Sequence, residues 1–391
     1  MFLSVCIITK NEASTIKSCL DSVKEIADEI IIVDAFSTDD TVAIAQKYTS
    51  KIYTKKWIDD FSFSRNFSIS KAKGKWILII DADEKFVYEP NFISKLKTTK
   101  TKAFSIIRKE MYRQQHDLKL VKYPVSIIRL FQRATNATFQ YPIHERLDNY
   151  FHQEDISVSI HHDCYLEHHI SLPAEQQHAK QEKYLKMIYT YLEKHPTDDW
   201  LMYQKIKTLK YFKRNDSVLE SIKILKTNDL KINVAANSIL SQVYAESGQV
   251  DDAIKVLKAL PYTKNSTIIN ILLGDFYFKK GKYLLALKYY RKLKTSSKSI
   301  DFPQAMYIIS YCEKEDKVYK IASVLYALKL HFLCILFLDF NKKYLQADSL
   351  LLYAFIFLKK EDTKQALTFI KKAREKDPHW QKLIELEELY S

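Results

Sequence analysis

The chain has 391 residues, of which 47% are hydrophobic, so it is long enough for two or three domains and too apolar to be disordered. It contains only 4 glycines, which argues against an all-β protein built on tight turns and against glycine-rich phosphate loops. The net charge of +14 favours anionic partners, although a lysine-rich solvated surface explains it as well.

Five scattered cysteines without a CxxC pair indicate neither a zinc site nor a disulfide framework, as is typical of a protein of the reducing bacterial cytoplasm. The apolar stretch at residues 2–8 is too short for a signal peptide. Charged residues interrupt the apolar stretch at residues 324–340, so we expect no transmembrane segment. The sequence contains no recognisable nucleic-acid-binding module, and we expect no nucleic-acid partner.

The first part of the chain alternates short apolar runs with segments of helical periodicity. This pattern predicts strands at residues 3–9, 29–33, 51–53 and 76–80, and helices at residues 12–23, 41–47 and 65–73. The order indicates an α/β domain with a mostly parallel, Rossmann-like sheet and helices on its faces. Ligands of such sheets bind beyond the carboxyl ends of the strands.

Polar residues follow three of these predicted strands directly. They are Asn11 with Glu12, then Asp34, and then the acidic run Asp81-Ala82-Asp83-Glu84. Hard cations such as Mg²⁺ or Mn²⁺ bind one or two carboxylates while substrate phosphates fill other positions. Asp81 and Asp83 at the end of an apolar strand therefore predict a metal site for a diphosphate. The alternative is that they cap the next helix.

From about residue 174 the periodicity is helical to the end of the chain. Leu240, Tyr244, Gly248 and Ala253 recur 33 positions later as Leu273, Tyr277, Gly281 and Ala286. A period near 34 with small residues between helices is typical of tetratricopeptide repeats. We therefore predict an α/β domain at residues 1–172 and an all-α repeat domain at residues 173–391.

Three blocks of the first part resemble family 2 glycosyltransferases of the GT-A fold. They are residues 4–12 (SVCIITKNE), residues 31–41 (IIVDAFSTDDT), and residues 74–76 (GKW) leading into residues 81–84 (DADE). The resemblance implies an inverting enzyme that uses a UDP-sugar donor and Mg²⁺ or Mn²⁺. A catalytic domain of GT-A type is therefore expected before the helical repeats.

The resemblance also implies roles for single residues. Thr9 and Glu12 are expected to line the nucleotide pocket, and Asp34 to accept a hydrogen bond from the base or ribose. Asp83 is expected to bind the metal, with Asp81 and Ala82 next to it on the donor. Many family members carry a second acid after the position of Asp34, where this chain has alanine.

Two further blocks, residues 57–66 and 141–145, are similar to a narrower subgroup of the family. Arg65 and Asn66 are expected to open a helix, where an arginine reaches a donor phosphate; a surface ion pair is the alternative. His144 and Glu145 are the candidates for the general base that inversion requires. His161, at the end of a predicted strand, is a candidate third metal ligand, although a lone histidine is usually structural.

The catalytic blocks together with a helical-repeat tail resemble the sublancin-type bacteriocin peptide S-glycosyltransferases. The resemblance implies transfer of a hexose, with glucose expected, to a cysteine or serine of a small bacteriocin-type peptide. The repeats are then expected to bind that acceptor or to form a homodimer. Alternatives are a saccharide glycosyltransferase of the lipopolysaccharide core or a cell-surface glycan and, from another class, a non-catalytic scaffold.

Overall fold

The computed structural model describes residues 1–114, 117–120, 125–170, 174–260, 266–295, 312–378 and 380–391. These residues form two compact units, one spanning Met1–Leu240 and the other beginning at Ser241. No helix among the described residues is long and apolar enough to cross a membrane.

The first unit begins with an α/β domain. Its strands are β1 Leu3–Thr9, β2 Glu29–Asp34, β3 Ile52–Thr54, β4 Trp76–Asp81, β5 Glu84–Tyr88, β6 Ala103–Gln114, β7 Asp117–Leu120, β8 Val125–Gln132 and β9 Val158–Ile170. Its helices are α1 Ile16–Val23, α2 Thr41–Ala45, α3 Phe61–Lys71, α4 Phe92–Thr98 and α5 Asp148–Gln153. The sheet has the order β3-β2-β1-β4-β8-β6-β9-β5, with β7 beside β6.

The four strands at one end of this sheet are parallel, as predicted. Parallel pairing of β1 with β2 sets Thr9 opposite Asp34, and its pairing with β4 sets Ile8 opposite Asp81. The three carboxyl ends therefore meet at one edge of the sheet. The predicted class, an α/β sheet domain followed by helical repeats, is confirmed, but the sheet is mixed rather than mostly parallel, because β5, β7 and β8 pair only antiparallel among the described strands.

The chain passes very close to itself at Gly74, immediately before β4. The Gly74 N–H donates to Ser4 Oγ at 2.7 Å and to Glu29 Oε1 at 3.2 Å. A Cβ at this position would lie 2.5 Å from Ser4 Oγ and 2.7 Å from the Ser4 backbone nitrogen. Any side chain here would therefore push β4 away from β1.

Helix α3 differs from the prediction. It begins at Phe61 rather than at Arg65, because the Asp60 carboxylate accepts a hydrogen bond from the Phe63 N–H at 2.9 Å and caps the helix. Arg65 is consequently in the second turn, where its side chain is buried.

Helices follow the sheet domain. They are α6 Ala174–Lys194, α7 Asp199–Tyr211, α8 Asn215–Ile224, α9 Leu230–Glu246, α10 Val250–Ala259, α11 Thr267–Lys279, α12 Tyr283–Tyr290, α13 Lys314–Ala327, α14 His331–Phe340, α15 Ala347–Lys359, α16 Thr363–Lys376 and α17 Gln381–Tyr390. The change to helices occurs where the periodicity predicts it. The compact unit that contains the sheet continues to Leu240, however, beyond the predicted boundary at residues 172 and 173.

The turns between paired helices share one backbone feature. Five such turns in the described residues have a left-handed residue two positions before the next helix, namely Lys213, Gly248, Gly281, Lys329 and Glu361. The residue five positions further is fully buried in every case: Val218, Ala253, Ala286, Cys334 and Ala366. The repeat therefore extends beyond the two copies that carry glycine.

Candidate active site

A cavity of about 590 Å³ lies in the first unit, at the edge where β1 and β4 end. The described residues that line it include eight basic and five acidic side chains. A site with this excess of positive charge attracts anionic ligands in spite of its aspartates.

Asp81, the last residue of β4, is held by two buried arginines. Its Oδ1 lies 2.7 Å from Arg65 Nη2, and its Oδ2 accepts a hydrogen bond from Arg129 Nη2 at 3.0 Å. Arg65 also donates through Nε to Glu145 Oε1 at 2.6 Å. Arg65 thus bridges Asp81 and Glu145 rather than forming the surface ion pair considered from the sequence.

These arginines decide the charge of Asp81. Burial alone would raise the pKa of its carboxyl group, but Arg129 and Arg65 hold the pKa well below its ordinary value. The carboxylate is therefore charged and a very weak base. Glu84 is buried behind it, and its Oε2 accepts a hydrogen bond from the Asp81 N–H at 2.9 Å.

Thr9 and Glu12 both line the cavity. The Thr9 Oγ1 is buried without a hydrogen-bond partner among the described residues. The pKa of the Glu12 carboxyl is raised, chiefly by burial and also by Asp83, while the hydrogen bond from Thr15 opposes this. Glu12 and Asp83 therefore face the same space.

Asp34 and Asn66 have roles other than the expected donor contacts. Both Asp34 oxygens accept hydrogen bonds from Ser37, one from its hydroxyl and one from its N–H, so Asp34 shapes the loop after β2. The Asn66 amide exchanges two hydrogen bonds with the Phe139 backbone, at 2.9 and 2.7 Å. Neither side chain lines the cavity; Asn66 instead fixes the loop that carries Glu145.

His168, and not His161, lies beside Asp83. His168 Nε2 is 3.2 Å from Asp83 Oδ2, and its Nδ1 is 2.5 Å from Glu110 Oε2. Burial would lower the pKa of His168, but these two carboxylates raise it to about 10. His161 is buried between the rings of Phe92 and Phe104 and does not line the cavity, so the structure does not bring it together with Asp81 and Asp83.

The register of β9 explains why His168, and not His161, lies beside Asp83. Between Ser105 and Ile107 the pairing of β6 shifts from Ile160 to Tyr165 of β9, so residues 161–164 drop out of that ladder. His168 returns opposite Glu110. The sequence showed four histidines here, but no pattern revealed the shift.

Asp83 and His168 could together hold a divalent metal, provided that binding displaces the proton that the two carboxylates stabilise on His168. Asp83 Oδ2 and His168 Nε2 are 3.2 Å apart. Adjacent ligands of an octahedral Mg²⁺ ion are expected to be about 3 Å apart. Glu110 on the other ring nitrogen of His168 matches the carboxylate that commonly orients a metal-bound histidine. Among the described residues, no cluster of three or more His, Cys, Asp or Glu side chains is placed to hold a metal ion, so other ligands would have to come from the substrate or water.

His144 and Glu145 both line the cavity, on the loop after Phe139. The pKa of His144 is lowered well below its ordinary value, mainly by burial and then by Lys207 and Arg108. Its imidazole is therefore neutral at pH 7, and its Nε2 is buried without a hydrogen-bond partner in the described part of the chain. Glu145 receives the Arg65 hydrogen bond on one oxygen.

Helices α6 and α7 form another wall of the cavity, which sequence reasoning missed. Tyr184 of α6 has a raised pKa because of burial and the nearby carboxylates of Glu145, Asp81 and Asp83. Trp200 of α7 donates through Nε1 to the His144 carbonyl oxygen at 3.0 Å. The first helices of the tail thus belong to the site.

Comparison with known proteins gives the class. Residues 4–113 match the model of glycosyl transferase family 2, and residues 269–299 match a tetratricopeptide repeat. The chain therefore contains a segment of glycosyl transferase family 2 type near its start and a tetratricopeptide repeat further along.

Individual relatives match over part of their length. A TPR repeat-containing protein of Synechococcus elongatus is 38% identical over 149 residues, 38% of this chain and 36% of that protein. The SPbeta prophage-derived glycosyltransferase SunS of Bacillus subtilis is 46% identical over 85 residues, 21% of this chain and 20% of SunS. The chain thus spans about a third or less of these relatives. The structure of S. aureus TarS in complex with UDP covers 74% of this chain and 89% of TarS, with 16% identity and a TM-score of 0.35.

Replacing Arg65 tests the buried ion network. Arg65→Met leaves the Asp81 and Glu145 carboxylates without their shared cation, so we expect the free energy of unfolding at pH 7 to fall by about 3–5 kcal/mol. The difference in free energy of unfolding should become smaller towards about pH 4, because Asp81 and Glu145 of the variant then take up protons and are no longer unpaired charges. Denaturant unfolding at both pH values measures this.

Arg133→Met is the matched control, since Arg133 is an exposed arginine that donates to the Gly74 carbonyl oxygen at 3.3 Å. It should change stability little at either pH. Equal losses from the two substitutions would show that the network does not hold the site together.

Proposed function

We propose that this chain is an inverting, metal-dependent glycosyltransferase that transfers a hexose from a UDP-sugar to a cysteine or serine side chain of a small peptide. The observation that carries the proposal is the meeting of Glu12, Asp83 and Glu145 in one positively charged cavity at the carboxyl ends of β1 and β4. The family 2 match over residues 4–113 supports the same class.

The cavity offers distinct places for the parts of a nucleotide sugar. Thr9 and Glu12 lie at the carboxyl end of β1 and suit hydroxyl and amide groups of the nucleoside. The Thr9 Oγ1 is free for such a contact, because it has no hydrogen-bond partner among the described residues. Asp83 and His168 would hold the divalent ion, which supplies positive charge to the departing diphosphate. The Asp81 carboxylate, fixed by two arginines, keeps this edge rigid.

Inversion requires a base on the side of the sugar opposite the diphosphate. Asp81 is unsuited because its pKa is held well below the ordinary value. His144 is also a weak base, because burial and two nearby cations lower its pKa. Glu145 accepts one hydrogen bond from Arg65 and keeps an oxygen to take the acceptor proton, so we assign the base to Glu145.

A peptide acceptor suits the wall that α6 and α7 build. Trp57 and Phe61 are 4.5 Å apart between ring centroids, and Phe61 and Tyr184 are 6.0 Å apart, so aromatic surface lines the mouth next to Glu145. Such rings bind apolar and hydroxyl-bearing groups of a peptide. A cysteine acceptor is already partly ionised at neutral pH and needs the least help from a base.

The metal assignment is tested by Asp83→Ala. We expect it to lower the rate of UDP release from UDP-glucose in Mg²⁺ or Mn²⁺ by about 100-fold or more, because the charge on the departing diphosphate is no longer neutralised. Asp251→Asn, which changes an exposed carboxylate that pairs with Lys280 outside the cavity, is the control and should have no effect. Near wild-type release by Asp83→Ala would disprove the assignment.

The base is tested by Glu145→Gln, whose amide oxygen still accepts from Arg65. With water as acceptor, we expect release of UDP to fall about 100-fold or more while UDP affinity stays within a few-fold. His144→Asn is the paired variant and should retain most of the rate. The opposite ranking of the two variants would transfer the role of base to His144.

A further inference from the structure

Helix α7 presents one face to the cavity. Trp200, Gln204 and Lys207 are spaced by four and three residues, which places them on the same side of the helix, and all three line the cavity. Trp200 is occupied by its hydrogen bond to the His144 carbonyl oxygen. Gln204 and Lys207 have no such explanation.

Gln204 is a buried polar group with an unused acceptor. Its residue is 1% exposed, and its Oε1 has no hydrogen-bond partner in the part of the chain that the structure describes. Buried amide oxygens are normally satisfied, and an orphaned one in the wall of a cavity indicates a ligand with a hydroxyl or N–H group.

Lys207 lies next to Arg108. Its residue is exposed and lines the cavity, and among the described residues no carboxylate is within ion-pair distance of its ammonium group. Desolvation by the protein around it, followed by the charge of Arg108, lowers the pKa of Lys207, with Glu110 acting in the other direction.

The nearby carboxylates are already paired. Glu110 binds Arg108 Nη2 at 2.7 Å and His168 Nδ1 at 2.5 Å, so it has little left to offer Lys207. Among the described residues, the Arg108 Nε is buried without a partner, although its Nη1 lies 3.7 Å from Glu84 Oε1. Lys207 and the Nε of Arg108 therefore keep hydrogen-bond donors that no described carboxylate uses.

We propose that Lys207 and Arg108 form an oxyanion subsite of the bound substrates, with Gln204 accepting a hydrogen bond beside it. The inference rests on the proposed function and adds that α7, a helix of the tail, binds substrate directly. The oxyanion is a phosphate or carboxylate, and it comes either from the donor diphosphate or from an acidic group on the acceptor.

Binding measurements on the full chain test the subsite. The Lys207→Gln variant is titrated with UDP and with uridine in Mg²⁺, and with sulfate after saturation by UDP. Lys205→Gln is the control, because Lys205 is on α7 but lies 5.1 Å from the Tyr189 ring and does not line the cavity. Lys207→Arg keeps the charge and should retain most of the affinity.

We expect Lys207→Gln to lower the affinity for one of the two anions, UDP or sulfate, by about tenfold, the usual effect of a lost charged hydrogen bond. Weaker UDP binding with unchanged uridine binding assigns the subsite to the donor diphosphate. Unchanged UDP with weaker sulfate binding assigns it to the acceptor. If both affinities stay within twofold of wild type, the subsite is disproved. A wild-type chain that binds neither UDP nor uridine contradicts the proposed function instead.

Discussion

The neutralisation of Asp81 by Arg65 and Arg129 is the interaction on which the site depends. A carboxylate so enclosed would bind a proton without them, and β4 would end in an uncharged acid. Because Arg65 also reaches Glu145, the same interaction ties the loop after Phe139 to the sheet edge. Asn66, one residue further on α3, fixes the Phe139 backbone, so α3 sets the distance between the sheet edge and the loop that carries Glu145.

The strands of the parallel half were predictable because each is a short apolar run buried on both faces. β1 has the predicted bounds, and the predicted polar residues do follow the strand ends. What the sequence could not show depends on long-range pairing. The β9 register shift selects His168 over His161, and Arg129 joins Asp81 only because β8 runs antiparallel beside β4.

The tail illustrates a second limit of sequence reasoning. Among the described turns, glycine holds the left-handed conformation at Gly248 and Gly281, whereas lysine or glutamate holds it at Lys213, Lys329 and Glu361, so the repeat has a weaker sequence signal in those copies. Helical periodicity likewise says which residues share a face but not what the face contacts. The approach of Trp200 to the His144 carbonyl oxygen therefore had no local signal.

The central claim is that this cavity transfers a sugar. The most direct measurement is mass spectrometry of cysteine- and serine-containing peptides, and of saccharide acceptors, incubated with the full chain, a panel of nucleotide sugars and Mg²⁺ or Mn²⁺. We expect a hexose-sized mass increase on a peptide with a UDP-sugar, accompanied by release of UDP. No adduct on any acceptor and no hydrolysis of any donor with either ion would contradict it.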